Sequence, residues 1–399
     1  MKQKIFIVVN VDRFFLSHRL PVALAAKDSG LDVTILTRDT GYRKEIESYG
    51  LHFEDIPFER SGSNPLHELK CVLILQQLYH SQKPDIIHHV TLKAALLGCL
   101  AAKLAGNKNV VNALSGFGYN FTNGRNGGLK QKIIRFAMNI AFRCKDFHFI
   151  LQNPDDQRYV IEQNYTFPEN VHLIKGSGID LEHFSFQEET KKDKVRVILN
   201  ARILYDKGVT EFVKAAAKIK NKVVDKAEFL LVGDSDMNNL AGIPEKAIVE
   251  MTDGDYIRWI GFQKDVFNTV RMADIVVLPS YREGLPKSLI EACAIGRPVI
   301  TTDTIGCREC VTDGYNGFLV PVKDIDKLAE KMELLINDKT LRADMGKHSR
   351  RLAETNFSIV SVINKHLEIY RTMLPEHPHY GYVWYYWNEY TVFHIKQGA

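Results

Sequence analysis

The chain has 399 residues, more than one hydrophobic core usually holds, so two domains are expected. Hydrophobic residues make up 45% and charged residues 25%, which are the proportions of an ordinary soluble globular protein. The formal net charge of +4 is mild, although the positive charges are unevenly distributed.

Secretion, membrane-spanning and metal signals are weak. The N-terminal MKQKIFIVVNVDRFF has too short an apolar run, and no cleavage site of small residues, for a signal peptide. In the apolar segment 92–106, Lys93 and Lys103 bracket only nine residues, too few for a spanning helix. Only Cys307 and Cys310 have CxxC spacing, and without a second pair they indicate reduced, unligated thiols rather than a zinc site. We therefore expect a cytoplasmic, non-spanning protein.

In chain order, short apolar runs alternate with helical patterns. The first half predicts strands at 4–9, 32–37, 52–58, 85–90, 109–114, 147–152 and 171–176, with a helix at about 16–29. After a polar, linker-like segment at 184–194, the pattern restarts with strands at 195–200, 228–233, 256–261, 274–279 and 298–303. The last predicted helix is 357–373, with Ser358 as its N-cap.

This alternation predicts an α/β protein with two Rossmann-like, doubly wound parallel sheets. The expected domains are 1–180 and 181–373, followed by an aromatic-rich tail at 374–399. Ligands of open parallel sheets bind at the carboxyl ends of the strands. Two such domains facing each other would enclose a central cleft there.

Two loops at predicted strand ends suit an anionic ligand. NARILYDKG places Arg202 and Lys207 directly after a strand, where they could hold a phosphate with paired donors and a compact charge. VGDSD ends another strand with a turn at Gly233. Each loop alone is weak evidence, because Arg, Lys and Gly are common in solvated loops.

The segment SYREGLPKSLIEACAIGRPVITTD places Glu283 and Glu291 around the start of a helix. Pro286 suits the first turn, so the amides of about Lys287 to Leu289 would form an anion site. A buried carboxylate is costly unless it is paired. The bland alternatives are an ion pair between Glu291 and Lys287, and a position near a helix N-terminus for Glu283. Because these two carboxylates occur together with Arg202 and Lys207, a ligand is favoured over the alternatives, and the hydroxyl groups of a sugar are the expected partners of both carboxylates.

Over about 195–320 the order and spacing of these motifs resemble the retaining GT-B glycosyltransferases of family 4. EGLPKSLIEA is similar to the E-x7-E signature of that family, ARILYDKG to its Arg…Lys-Gly element, and TDGYNGFLV to its C-terminal glycine motif. The first half agrees more loosely, through FLSHRLPVALAAKDSGLDVTILT, KPDIIHHVTLKAALLG and LSGFGYNF. The resemblance implies the GT-B fold.

The resemblance also implies site residues. Arg202 and Lys207 would bind the donor diphosphate, and Glu283 the hydroxyls of the transferred sugar; these three form the expected catalytic group. Glu291 would bind the ribose hydroxyls. Further donor contacts are expected from Gly284, Leu285, Lys287, Ser288 and Gly233. Cations and helix amides would stabilise the leaving group without a metal, so no metal or other cofactor is expected.

The chain departs from the family at two places. The first loop, NVDRFFLSHR, has no glycine, and Ser115 stands before Gly116 where many relatives have a histidine that contacts the sugar. Candidate contacts to the acceptor or the sugar are therefore His18, His89, Ser115 and Gly116, with His88 beside them. For the histidines, a surface or core position is an equally good interpretation.

The region 86–145 contains nine Lys or Arg residues and no Asp or Glu. Within it, 128–145 predicts a helix whose polar stripe consists of Lys132, Arg135, Asn139 and Arg143. A basic amphipathic helix is typical of contact with an anionic membrane, although it could also be a core helix with a solvated edge. Nucleic acid is the competing partner, but no reading module accompanies the basic region. We expect a peripheral protein at the inner face of the plasma membrane.

These observations favour a retaining glycosyltransferase that moves a hexose or N-acetylhexosamine from a UDP-sugar. The expected acceptor is a polyprenyl-diphosphate-linked saccharide in O-antigen, capsule or glycan assembly. The alternatives are a nucleotide-sugar epimerase of the same fold and a catalytically inactive sugar-nucleotide-binding subunit, the latter suggested by the missing glycine loop and Ser115. A nicotinamide dehydrogenase fits poorly, because no predicted strand is followed by GxGxxG.

Overall fold

The computed structural model describes residues 2–59, 64–117, 129–189, 192–237, 239 and 241–374. They form two parallel sheets with helices on both faces, which confirms the expected pair of doubly wound sheets. Beyond residue 374, the predicted aromatic tail lies outside the described residues.

The first sheet has seven parallel strands in the order β3-β2-β1-β4-β5-β6-β7. Its central strands are short apolar runs buried on both faces, as parallel sheets require. The strands are β1 Lys4–Val9, β2 Asp32–Thr37, β3 His52–Asp55, β4 Ile86–Val90, β5 Val110–Leu114, β6 Phe147–Leu151 and β7 Val171–Leu173. The helices are α1 Asp12–His18, α2 Leu20–Asp28, α3 Arg43–Ser48, α4 Pro65–Gln82, α5 Leu92–Ala105, α6 Leu129–Phe142 and α7 Pro154–Glu162.

The second sheet has six parallel strands in the order β10-β9-β8-β11-β12-β13. The strands are β8 Val195–Asn200, β9 Ala227–Val232, β10 Ile257–Trp259, β11 Ile275–Leu278, β12 Val299–Thr302 and β13 Gly317–Val320. The helices are α8 Val209–Val223, α9 Glu245–Met251, α10 Val266–Arg271, α11 Lys287–Ile295, α12 Ile325–Asn337, α13 Lys339–Asn356 and α14 Ile359–Met373.

Helix α14 comes last in the chain but packs on the first sheet, next to α2. Val362, Ile363 and Tyr370 are buried in the same cluster as the residues of β1 and α2. The hydroxyl of Tyr370 lies 2.6 Å from His88 Nδ1 in β4. The chain therefore returns to its first domain after completing the second sheet.

Two local differences from the sequence expectations have simple causes. The helix expected at 16–29 is two helices, α1 and α2, because Pro21 in the first turn of α2 has no amide hydrogen to continue α1. Strand β13 was not predicted, because its four residues begin with Gly317, an unfavourable strand residue. A Cβ on Gly317 would lie 1.8 Å from the carbonyl oxygen of Val299, so only glycine fits beside β12.

Candidate active site

Two cationic side chains follow β8, as the sequence predicts. The exposed guanidinium of Arg202 donates through Nη1 to Asp236 Oδ2 at 3.0 Å. Lys207 ends a short 3-10 turn, and Gly208 follows it with φ of 74° and begins α8. A Cβ on Gly208 would lie 2.2 Å from the carbonyl oxygen of Pro279, so glycine lets this loop press against the end of β11.

That close approach brings Lys207 to Glu283, whose Oε1 accepts a hydrogen bond from Lys207 Nζ. The same carboxylate oxygen accepts from Ser280 Oγ at 2.8 Å, and the amide of Glu283 donates to the carbonyl oxygen of Ile305 at 3.0 Å. Both charged side chains are largely buried. The residue predicted to bind the diphosphate and the residue predicted to bind the sugar thus neutralise each other.

Asp206, a residue that the sequence did not single out, joins these loops. Its carbonyl oxygen accepts a hydrogen bond from the amide of Tyr281 at 2.9 Å and lies 3.1 Å from Ser280 Oγ. Its carboxylate oxygen Oδ1 is buried and has no hydrogen-bond partner within the described part of the chain. Burial raises the pKa of Asp206, and Lys207 opposes this shift. The one sign of this role in the sequence is that an acidic residue directly precedes the lysine in YDKG, at 205–208.

The N-terminus of α11 forms the floor of the site. Pro286 is its N-cap, and the amide of Leu289 bonds back to the carbonyl oxygen of Pro286 at 3.1 Å. The amides of Lys287 and the half-buried Ser288 precede it, in the turn that lacks partners within a helix. Lys287 Nζ donates to the carbonyl oxygen of Ser17 at 2.9 Å, which joins α11 to α1 of the first domain. Of the three amides predicted to bind an anion, that of Leu289 is therefore already used within the helix, and those of Lys287 and Ser288 remain candidates.

Glu291 is buried in α11, with 6% of its surface exposed. Among the described residues, its charged neighbour is Lys287, with Nζ 3.9 Å from Oε1. Burial raises the pKa of Glu291 to about 7, and Lys287 counteracts this only in part. The local ion pair between Lys287 and Glu291 is thus present, but its 3.9 Å distance is too long to compensate the burial of the carboxylate fully.

The two domains touch at the loop before α11. The carbonyl oxygen of Gly284 accepts from Asn153 Nδ2 at 3.1 Å. A Cβ on Gly284 would lie 2.0 Å from the carbonyl oxygen of Ser115, and one on Gly116 would lie 3.0 Å from the Cα of Gly284. Leu285 packs against Gly176 of the first domain. Four predicted site residues therefore meet across the domain boundary.

A buried ion pair beside this contact was not found from the sequence. Arg282 Nη2 lies 2.7 Å from Asp156 Oδ1, and both side chains are largely buried. Burial raises the pKa of Asp156, while Arg282 lowers it. Asn153 accepts from the amide of Asp156 and so begins α7. The sequence NPDD at 153–156 is a recognisable helix start, but nothing in it indicates the contact with the second domain.

Of the candidate histidines, His18 lies at the cleft. It ends α1, its ring stacks on Phe14 at 4.1 Å, and burial together with the nearby Lys287 lowers its pKa to about 3. The ring is therefore neutral near pH 7 and can accept a hydrogen bond.

His89 is instead a core residue. It is 0% exposed, with Nδ1 2.9 Å from Asn112 Oδ1 and Nε2 3.1 Å from the hydroxyl of Tyr79. This position does not fit the contact with acceptor or sugar that we expected, because both ring nitrogens are engaged inside the first domain. His88 is buried as well, on the opposite face of β4.

Gly233 follows β9 with φ of 136°. A Cβ there would lie 1.9 Å from the carbonyl oxygen of Ala201, so the glycine permits the close approach of the β8 and β9 loops.

The described residues contain no cluster of three His, Cys, Asp or Glu side chains suited to a metal ion. Within the same residues, no helix is both long and apolar enough to cross a bilayer.

Known families match both halves of the chain. The model of the glycosyl transferases group 1 matches residues 180–352, and that of the glycosyl transferase 4-like family matches residues 4–145. The first match contains the α11 motif and both loops that follow β8 and β9.

Two relatives are similar over most of their length. The N,N'-diacetylbacillosaminyl-diphospho-undecaprenol alpha-1,3-N-acetylgalactosaminyltransferase of Campylobacter jejuni is 31% identical over 84% of this chain and 92% of its own. The UDP-Gal:alpha-D-GlcNAc-diphosphoundecaprenol alpha-1,3-galactosyltransferase of Escherichia coli is 25% identical over 86% and 89%, respectively.

The fold is also shared with solved structures. Alr3699/HepE of Anabaena, in complex with UDP and glucose, aligns with a TM-score of 0.73 at 18% identity, over 92% of this chain and 99% of its own. Its likeness concerns the fold, whereas the matches of sequence concern the family. The chain therefore belongs to the group 1 glycosyltransferases and is an enzyme of GT-B architecture.

Proposed function

We propose that this glycosyltransferase moves a hexose or N-acetylhexosamine from a UDP-sugar to a polyprenyl-diphosphate-linked saccharide, with retention of anomeric configuration. The observation that carries the proposal is the buried carboxylate of Glu291 behind the N-terminus of α11. Its long contact to Lys287 leaves it short of partners, and sugar hydroxyls would supply them.

In this proposal the diphosphate binds between the α11 N-terminus and the cations that follow β8. Arg202 and Lys207 neutralise the phosphates, and the amides of Lys287 and Ser288 donate to them. The helix amides are in place before the donor binds, and the cations turn to the phosphates when it does. Together they stabilise the negative charge that grows on the leaving diphosphate, and we propose no metal for this step.

In the proposed mechanism, Lys207 and Glu283 exchange partners when the donor binds. A diphosphate attracts Lys207 Nζ away from Glu283, and the released carboxylate can then accept hydrogen bonds from the transferred sugar. Retention follows if the departing phosphate oxygen guides the acceptor hydroxyl onto the same face of the sugar. Ser115, Gly116 and His18 lie on the opposite wall, where an acceptor or the sugar would enter.

The proposed acceptor and donor draw support from the relatives. The names of both relatives specify diphospho-undecaprenol substrates, one of them also names a UDP-sugar, and the Anabaena protein was solved with UDP and glucose. A lipid-held acceptor agrees with the acid-free region 86–145, which we propose as a peripheral contact with an anionic membrane at the inner face of the plasma membrane. Nucleic acid is not part of the proposal.

The test is a panel of UDP-, GDP- and ADP-sugars with short-chain prenyl-diphosphate saccharides as acceptors. We expect a glycosylated product only with UDP-sugars, and an α linkage by NMR when the donor is an α-sugar nucleotide. A product of inverted configuration, or turnover only with another nucleotide, would contradict the proposal.

The panel also distinguishes the alternatives. A nucleotide-sugar epimerase would convert the donor without any acceptor, whereas the proposed enzyme releases UDP only when an acceptor is present. Donor binding without turnover across all acceptors would indicate a sugar-nucleotide-binding protein instead.

A further inference from the structure

The loop between β11 and α11 is bonded to both domains. It carries Glu283, the proposed partner of the transferred sugar. Within the second domain, the amide of Glu283 donates to the carbonyl oxygen of Ile305 at 3.0 Å, and its carboxylate bonds to Lys207. The residues directly before and after it, Arg282 and Gly284, are bonded to the first domain.

Two side chains at the start of α7 make those contacts. Asp156 Oδ1 accepts a hydrogen bond from Arg282 Nη2 at 2.7 Å. Asn153 Nδ2 donates to the carbonyl oxygen of Gly284 at 3.1 Å and to Asp156 Oδ2 at 2.9 Å, which uses both hydrogens of its amide group. We call Asn153 and Asp156 the α7 pair. The pair therefore connects the residue before Glu283 with the residue after it.

The α7 pair is held firmly in its own domain. Asn153 is the N-cap of α7, and its Oδ1 accepts from the amide of Asp156 at 2.8 Å. Asn153 is 0% exposed and Asp156 2%. Any other arrangement of the two side chains would leave buried polar atoms without partners, which is costly. The pair can therefore hold the loop of the second domain in one position.

This position determines where the carboxylate of Glu283 can lie. A group that contacts a substrate can lose about 100-fold in rate when it is misplaced by about 1 Å. The groups proposed to bind the diphosphate and the ribose lie elsewhere, since Arg202 and Lys207 follow β8 and Glu291 lies inside α11. Within the described residues, none of these three is hydrogen-bonded to the α7 pair.

We propose that the α7 pair positions Glu283 for the transferred sugar, so that sugar recognition in the second domain depends on contact with the first. The inference rests on the proposed function, which assigns the sugar hydroxyls to Glu283. The two members are positioning residues, because they act through Arg282 and Gly284 rather than on the donor. They should therefore affect binding of the sugar and the rate of its transfer, and leave binding of the nucleotide unchanged.

A structural role alone leads to a different expectation. If the α7 pair only stabilises the domain boundary, its loss lowers the melting temperature and changes the affinities for UDP and for a UDP-sugar by the same factor. The ratio of these two affinities therefore separates positioning of Glu283 from stabilisation of the fold.

The experiment measures the affinities of the full chain for UDP, UDP-galactose and UDP-N-acetylgalactosamine by isothermal titration without acceptor. The kcat is measured with the prenyl-diphosphate saccharides used as acceptors above. Asn153→Ser keeps an oxygen that can cap α7 but removes the donor to Gly284. Arg282→Lys keeps a cation for Asp156 but loses the planar guanidinium. Glu283→Gln is the reference for loss of the sugar-binding carboxylate.

The matched control is Lys175→Met. Lys175 Nζ lies 3.1 Å from Glu309 Oε2, and this ion pair also joins the two domains. In the described part of the chain, neither residue is hydrogen-bonded to Arg282, Glu283 or Gly284. Thermal unfolding shows that each variant is folded.

We expect Asn153→Ser and Arg282→Lys each to lower the ratio of UDP-sugar affinity to UDP affinity at least about fivefold, because the charge-assisted bonds of Glu283 are weakened. Each should also lower kcat about tenfold or more, since the carboxylate is misplaced. The affinity for UDP should stay within about twofold of that of the unaltered chain. The control should keep the ratio and the kcat of the unaltered chain.

The outcomes separate this inference from the proposed function. If Glu283→Gln lowers the ratio but Asn153→Ser and Arg282→Lys do not, or if they weaken UDP and UDP-sugars equally, the inference is wrong and the proposed function stands. A lowered ratio in Lys175→Met would also contradict a role specific to the α7 pair. If Glu283→Gln itself leaves the ratio unchanged, the proposed sugar contact of Glu283 fails, and the inference fails with it.

Discussion

Replacing Glu291 by glutamine should make the ligand-free protein more stable. Burial raises the pKa of this carboxyl from 4.5 to about 7, so the folded protein prefers its protonated form. A tenfold difference in proton affinity is worth about 1.4 kcal/mol, so holding Glu291 ionised above pH 7 costs the fold about 3 kcal/mol. A neutral amide of similar shape avoids that cost.

The pH dependence fixes the sign of this effect. Because the folded pKa exceeds the unfolded one, the stabilisation by the protonated form is complete below pH 4.5 and is lost as the pH rises to about 7. In urea unfolding, Glu291→Gln should therefore gain about 3 kcal/mol at pH 8 and less than about 1 kcal/mol at pH 5. Isothermal titration should show the opposite for UDP-sugar, with affinity falling about tenfold or more, because charge-assisted hydrogen bonds are lost.

The chain offers a matched control in Glu250→Gln. Glu250 also lies four residues after a lysine, Lys246, with the charged atoms 3.9 Å apart, but the pair is exposed on α9. Such pairs contribute only a few tenths of a kcal/mol, so this variant should change neither stability nor donor affinity measurably. If Glu291→Gln is less stable at pH 8, or its gain is the same at pH 5, the buried carboxylate is compensated by the fold and our reasoning fails.

Three further outcomes test the rest of the site. Lys207→Ala should lower kcat at least about 100-fold in a steady-state assay, because it removes a cation from the leaving diphosphate, and should also lower the melting temperature, because it leaves Glu283 largely buried without its cation; near-normal kcat would contradict the proposed role of Lys207. Gly284→Ala should lower both melting temperature and kcat, since its Cβ would overlap the carbonyl oxygen of Ser115; unchanged values would mean that the loops are not in contact. Arg282→Met should lower the free energy of unfolding in urea by about 3 kcal/mol, because it leaves the buried carboxylate of Asp156 without its cation; a loss within error would contradict that.

Most of the fold followed from local pattern. Short runs rich in β-branched residues, such as β1 and β4, predict strands buried on both faces, and their alternation with helical patterns predicts a parallel sheet. Strand β13 escaped because four residues that begin with glycine carry little local signal.

The site divides in the same way. Lys207 and Glu291 belong to motifs whose spacing and charge were visible in the sequence, and each stands at a strand end or helix start. The ion pair between Arg282 and Asp156 joins residues 126 positions apart, which no local pattern encodes. For His89, the sequence could not distinguish a core histidine from a ligand, since that depends on which face of β4 the ring occupies.

The return of α14 to the first sheet has a consequence for the order in which this protein can fold. The ribosome completes β1 to β7 long before it adds Ile359–Met373, so the apolar wall that α14 will cover remains open while the second half is made. A fragment that ends near residue 180 should expose this wall and aggregate, and adding the α14 segment on a linker should rescue its solubility. The first domain can therefore complete its hydrophobic core only after the fifteen residues of α14 have been made.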